Sequence, residues 1–137
     1  MLIRPGLLAL FTAFLIVSIT AALSVFAGGS SDSANSNVAK PELRCGWFEN
    51  PTPANAWLID RDGEWTISIQ GGDQAEGDWP DFNRSQWVET NGHYGYGCAC
   101  LKVETDSERY VTRILSSTPK PLAQCRRDKA LKLKEPK

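Results

Sequence analysis

Four cysteines constrain this chain more than any other feature, because of how they are spaced. Cys98 and Cys100 stand one residue apart inside Tyr94-Gly95-Tyr96-Gly97-Cys98-Ala99-Cys100-Leu101-Lys102-Val103, while Cys45 and Cys125 lie far upstream and downstream. On an extended strand, residues two apart share a face with Cα atoms about 6.5–7 Å apart. That is too far and too straight for Cys98 and Cys100 to bridge each other without a sharp bend. Each is therefore expected to bond to one of the distant cysteines. Either Cys45–Cys98 with Cys100–Cys125, or Cys45–Cys100 with Cys98–Cys125, satisfies this, and spacing does not choose between them. Both pairings fasten the leading segment and the C-terminal segment to one central strand.

Disulfides need an oxidising compartment, and the N-terminus provides a route there. Arg4 precedes an apolar run from Leu7 to Phe26, and Val25-Phe26-Ala27 ends it with small or tolerated residues. Residues 1–27 read as a secretory signal peptide; an uncleaved membrane anchor is the alternative and the one expected link to a membrane. Residues 28–42 have the composition of a flexible tether. The folded part is then 43–131, followed by a basic tail, 132–137. A domain on the order of 90 residues buries a modest share of its surface and gains much from covalent staples.

Within 43–131 the reading is a small β-rich (α+β) fold: an antiparallel sheet of about four strands with a short C-terminal helix, stapled by two disulfides. Pro51 and Pro53 exclude a helix after Trp47-Phe48 and favour extended or turning backbone. Residues 56–69 read as a β-hairpin around Asp62-Gly63. A three-residue loop would pair Asp60 with Glu64, Ile59 with Trp65 and Trp57 with Ile67, placing Trp57, Ile59, Trp65, Ile67 and Ile69 on one face. Residues 70–84 have no period and read as a glycine-rich acidic loop, with Trp79 and Phe82 folded back onto the core. Trp87-Val88 forms a short strand ended by Asn91-Gly92. A central strand runs from about Tyr96 to Glu104, and Arg109 to Leu115 returns antiparallel, broken by Pro119 and Pro121. Leu122 to Leu131 reads as the helix, and Lys132 to Lys137 as a frayed end.

Charge is uneven. From Asp60 to Glu108 eleven acidic residues face three basic ones, whereas Lys120 to Lys137 holds seven basic residues against two acidic. An exported acidic domain does not suit nucleic acid. Asp73, Glu76, Asp78 and Asp81 do not follow the spacing of an EF-hand loop, and two isolated cysteines do not suit structural zinc, so no metal and no cofactor are expected. His93 is the sole histidine, with no nucleophile marked for it, and no catalytic residues are assigned. Trp79, Tyr94 and Tyr96, with His93 beside them and glycines around them, form the expected ligand-facing set.

The runs RCGWFENPTPANAWLIDRDGEWTI, GDWPDF, NGHYGYGCACLKV and PLAQCRRDK resemble a bacterial family of exported proteins known as domain of unknown function 4087. The resemblance covers Arg44 to about Lys129. It implies a bacterial, signal-bearing, single-domain protein and brings no established activity or catalytic residues. The residues themselves point to a non-catalytic binding module for a protein partner or envelope component in the periplasm. One version is an inhibitor of a basic wall-degrading enzyme. The alternative is a thiol–disulfide protein acting through Cys98 and Cys100, with Cys125 activated by Arg126 and Arg127.

Overall fold

The structure is a computed structural model and describes residues 40–137. The signal peptide and nearly all of the tether expected from the sequence lie outside these residues. Six strands form one antiparallel sheet: β1 (Glu42–Thr52), β2 (Asn55–Asp60), β3 (Glu64–Ser68), β4 (Trp87–Asn91), β5 (Tyr94–Thr105) and β6 (Val111–Lys120). Their order is β3-β2-β1-β5-β4, and β6 pairs with the stretch of β5 that β4 leaves free. A helix, α1 (Leu122–Arg127), follows.

The sheet has six strands rather than about four, and both β1, not read as a strand, and the added length of β6 fall in stretches that prolines obscure. β1 is a full-length central strand, paired with β2 on one side and β5 on the other. Pro51 is accommodated where the β1–β2 register shifts, between Glu49 and Thr52. Pro53-Ala54 makes the tight turn, with Ala54 at φ 56°. Asn50 Nδ2 donates to the carbonyls of Thr52 and Asn55 and braces it. β6 likewise continues through Pro119 to Lys120, against the break expected there. Among the described residues Pro119 pairs on one side only, with Ala99 of β5, and an edge position tolerates a residue without an N–H.

The sheet curls until its far edges meet. Thr66 bridges Tyr110, and the Thr66 N–H donates to the Arg109 carbonyl at 2.9 Å. Residues 73–76 complete the seam: the Ala75 N–H donates to Ile67 O (2.8 Å), and Glu76 exchanges backbone bonds with Thr112 and Ile114. The expected acidic loop therefore contains one stretch that closes a small barrel. Inside lie Phe48, Ala56, Leu58, Trp65, Ile67, Ala99, Leu101, Val103, Val111 and Ile114.

The outer face is covered too. Trp47, Tyr96 and Cys98 are buried there beneath Cys125 and Leu131, with Ile59 and Leu122 packed beside them. This second cluster corrects the hairpin. Leu58 pairs with Trp65, Trp57 with Thr66 and Ile59 with Glu64. Ala56 and Leu58 face the barrel interior, while Ile59 faces outward toward the C-terminal segment. Because β2 buries residues on both faces, gathering Trp57, Ile59 and Trp65 on one side was not required. The loop is set instead by Asp60, whose Oδ1 accepts the N–H groups of Asp62 (2.7 Å) and Gly63 (3.0 Å).

The disulfides are Cys45–Cys100 and Cys98–Cys125. Cys45 and Cys100 stand directly opposite each other across β1 and β5, whereas Cys98 lies opposite Trp47. The register between these strands decides the pairing. The C-terminal segment is more ordered in its bonding than expected. Helix α1 stops after Arg127, because the Asp128 carboxylate accepts the Ala130 N–H (2.8 Å) and turns the chain. Leu131 then tucks under Trp47, whose Nε1–H donates to the Leu131 carbonyl (3.1 Å). Lys132–Lys134 form a 3₁₀ turn rather than a frayed end. Lys134 Nζ donates to the carbonyls of Asp60 and Arg61, and Glu135 accepts from Tyr96 Oη (3.0 Å) and Arg126.

One outward carboxylate is poorly accommodated. Glu49 lies opposite Trp57 on one side and Tyr96 on the other. Burial raises its carboxyl above the ordinary 4.5, and the charge of Glu64 adds to this. The folded state then holds its proton more tightly than the unfolded one, so stability falls as pH rises from 4.5 through the folded value. Glu49→Gln is expected to raise stability at pH 7 by a fraction of a kcal/mol, and the gain should vanish below about pH 4.5. Urea midpoints measured from pH 4 to 8 check both the sign and the window.

Candidate functional site

The two ends of the barrel differ. At one end Arg44 reaches Asp60 (2.6 Å) and Glu42 (2.7 Å), with Asp62 at 3.4 Å. Its guanidinium carbon lies 3.5 Å from the Trp65 ring centroid, with Arg109 above the same ring at 5.3 Å. Glu42 also accepts from Thr105 Oγ1. The hydrogen bond from Arg44 holds the Glu42 carboxyl below its ordinary value. This end is sealed by its own ion pairs.

The other end is open. A hollow of about 770 Å³ lies there, with Phe48, Trp79, Phe82 and Trp87 among its lining. The rings form a chain of contacts: Phe48 to Trp79 at 5.6 Å, Phe48 to Phe82 at 5.9 Å and Phe82 to Trp87 at 5.0 Å between centroids. Asn50, Arg84, Glu89 and His93 bring polar groups to the same hollow.

Two glycines on β5 let neighbouring segments approach closely. Gly97 lies between Phe48 and Trp87 in the sheet, and Gly95 between Asn50 and Glu89. A Cβ on Gly97 would sit 2.6 Å from Phe82 Cε1 and 2.7 Å from the Gln86 carbonyl oxygen. Without a side chain at Gly97, Phe82 lies over the strand, and without one at Gly95 the β4 backbone at Val88 comes close to β5. The β4–β5 turn supports the wall: Trp87 Nε1–H donates to His93 O (3.1 Å), and Asn91 Nδ2 to Pro51 O (3.3 Å).

The expected ligand-facing set divides across the sheet. Trp79 and His93 line the hollow. Tyr94 is half-buried, its ring 4.1 Å from that of His93 by centroid. Tyr96 is elsewhere: it packs edge-on against Trp47 at 5.5 Å beneath the C-terminal segment, and burial raises its phenol. The glycines of Gly95-Tyr96-Gly97 face the hollow, and the tyrosine between them does not. Sequence reasoning missed Phe48, Phe82, Trp87, Asn50, Arg84 and Glu89 as neighbours in one site. The alternation that groups Tyr96 with Cys98 and Cys100 would have assigned Gly95 and Gly97 to the opposite face. The remaining neighbours required the register of β1 and β4 against β5.

The hollow combines flat apolar surface with both donors and acceptors. Asn50 commits its Nδ2 to the neighbouring turn, which leaves its Oδ1 as an acceptor. Arg84 forms no ion pair among the described residues, and the buried indole N–H of Trp79 has no hydrogen-bond acceptor there. Among the described residues no group of three or more metal-ligating side chains occurs, and no helix is long and apolar enough to cross a membrane. Both disulfides are consistent with an oxidising compartment.

No curated protein and no solved structure matches the chain. The family model described as protein of unknown function, DUF4087, matches residues 39–132, which span β1 through α1 and both disulfides. The chain belongs to that family.

Proposed function

We propose that the protein is a non-catalytic binding module of the bacterial periplasm or cell envelope, and that the open end of the barrel is its binding surface. The observation that carries this reading is the aromatic hollow, floored by rings that Gly97 lets pack onto β5 and ringed by polar groups. Concave apolar surface with a few converging polar groups is the usual form of a ligand site. Among the described residues no serine, threonine or cysteine lines the hollow beside His93, which supports binding over nucleophilic chemistry. Cys98 and Cys100 bond to different partners, and Cys98 and Cys125 are buried. That too favours binding over thiol–disulfide exchange.

The narrower version, an inhibitor of a basic envelope enzyme, draws on Asp78 and Asp81, which are exposed next to Trp79, Pro80 and Phe82 of the hollow. Their field would steer a cationic protein and would weaken with salt. Affinity capture from periplasmic and envelope extract, at low and moderate salt, tests the proposal. Wild-type protein should retain a component that an Arg84→Ala/Glu89→Ala variant retains poorly. Equal retention by both, or none at either salt, would overturn the assignment of the hollow.

A further inference from the structure

We infer that the hollow takes a segment of oligosaccharide, an inference that rests on its being the binding site. The argument concerns which hydrogen-bonding groups are left unused. A lone ammonium or guanidinium group only donates, and a lone carboxylate only accepts. The lining suits neither alone. Arg84 is an exposed donor with no ion-pair partner among the described residues, and Trp79 contributes its ring to the lining. Asn50 Oδ1 is an acceptor whose amide nitrogen is already engaged. Glu89 supplies an exposed carboxylate with no ion-pair partner among the described residues.

Arg84 and Glu89 offset each other in charge, so a neutral ligand meets no net field from the lining itself. Hydroxyl groups both donate and accept, and a sugar ring carries several of them around its edge. Its C–H faces are flat and apolar enough to lie on indole and phenyl rings. The hollow supplies such rings in Phe82, Trp79 and Trp87. Its volume of about 770 Å³ exceeds the lower end of the range typical of ligand sites, roughly 300–1,000 Å³. It has room for more than one sugar ring. A peptide held by strand addition would pair along the open edge of β4, whereas a sugar would lie on the ring faces within the hollow and bond the side-chain donors and acceptors around it.

The test is titration of the full chain with chitotriose, cellotriose, maltotriose and a soluble muropeptide-free glycan fragment, followed by tryptophan fluorescence and calorimetry. At least one should bind saturably, and its affinity should hold within about twofold from low to high salt, because no net charge is neutralised. Arg84→Ala and Glu89→Gln alter exposed side chains and should leave thermal unfolding unchanged while weakening binding about tenfold each. Trp79→Phe keeps an aromatic ring but reduces the flat surface on which a sugar would lie; it should weaken binding severalfold.

If no glycan in the panel binds at millimolar concentration, or if the rim variants bind as the wild type does, the inference fails. If the same variants abolish capture of a protein from extract while no glycan binds, the hollow remains the binding site and its occupant is a protein. If no glycan binds and the variants capture the same proteins as the wild type, the hollow is removed as a site altogether.

Discussion

Replacing Cys98 and Cys125 together by alanine is expected to lower the unfolding free energy by about 3.5 kcal/mol. The bond closes a 27-residue separation, and the chain-entropy relation gives that magnitude for a loop of this size. For a domain of roughly 100 residues this corresponds to a fall in Tm on the order of 15–25 °C. The same relation gives about 4 kcal/mol for Cys45–Cys100, whose separation is 55. Global stability alone does not separate the two bonds, but their positions in the fold do. Cys45–Cys100 ties two strands that already share a continuous ladder from Glu42 to Asn50. Cys98–Cys125 ties the sheet to a segment held otherwise by a few side-chain bonds, among them Trp47 to Leu131 and Tyr96 to Glu135. Removing it should free 122–135 locally and wet Trp47, which is fully buried in the intact protein.

Hydrogen exchange distinguishes the cases. In Cys98→Ala/Cys125→Ala, amides of 122–135 should lose protection well before the strands do. In Cys45→Ala/Cys100→Ala the same amides should exchange with the sheet. Retained protection of 122–135 in the first variant would show that α1 and the turns after it dock without the covalent bond.

The contrast between the two bonds shows where sequence reasoning reaches its limit. Period-two alternation along Tyr96–Glu104 was enough to put Cys98 and Cys100 on one face and Ala99, Leu101 and Val103 on the other, as the structure has them. It was enough to require two bridges from β5 to distant cysteines. Which bridge goes where depends on β1 pairing Cys45 with Cys100, a register set between residues 55 apart in sequence. The hairpin failed for a related reason. Assigning a register from one apolar face assumes that the other face meets water. Here Ile59 and Trp47 are covered by the C-terminal segment, so both phases of the alternation are apolar and the pattern loses its discriminating power. The site suffered in the same way. Trp79 was legible as a loop aromatic folding inward, whereas its neighbours Phe48 and Trp87 are joined to it through Gly97, whose contribution is the absence of a side chain.

Arg44→Met is expected to cost about 3–5 kcal/mol, comparable with losing a disulfide, although no covalent bond is touched. The Arg44 side chain is 11% exposed and that of Asp60 3%. Removing the guanidinium leaves the Asp60 carboxylate in a nearly dry place and takes the cation from the Trp65 ring. The carboxylate cannot easily move, because its Oδ1 also holds the Asp62 and Gly63 amides in the β2–β3 turn. Asp60→Asn keeps that oxygen and removes the charge, so it isolates the ion pair from the turn. It should cost less than Arg44→Met, and the double variant should cost clearly less than the two single costs added together, because no buried charge is left without its counterpart.

Glu42 supplies an independent readout. Its hydrogen bond from Arg44 lowers the folded-state carboxyl below 4.5. The associated stability is present above that value and is lost as pH falls through the folded one. Glu42 is partly exposed, so the contribution is small, but its dependence on Arg44 is specific. Urea unfolding of the four proteins at pH 7 and near pH 3.5 tests both expectations. If the single costs simply add, and the acid sensitivity of the wild type survives in Arg44→Met, then the sealed end of the barrel is held by apolar packing around Trp65 and the ion cluster is incidental to it.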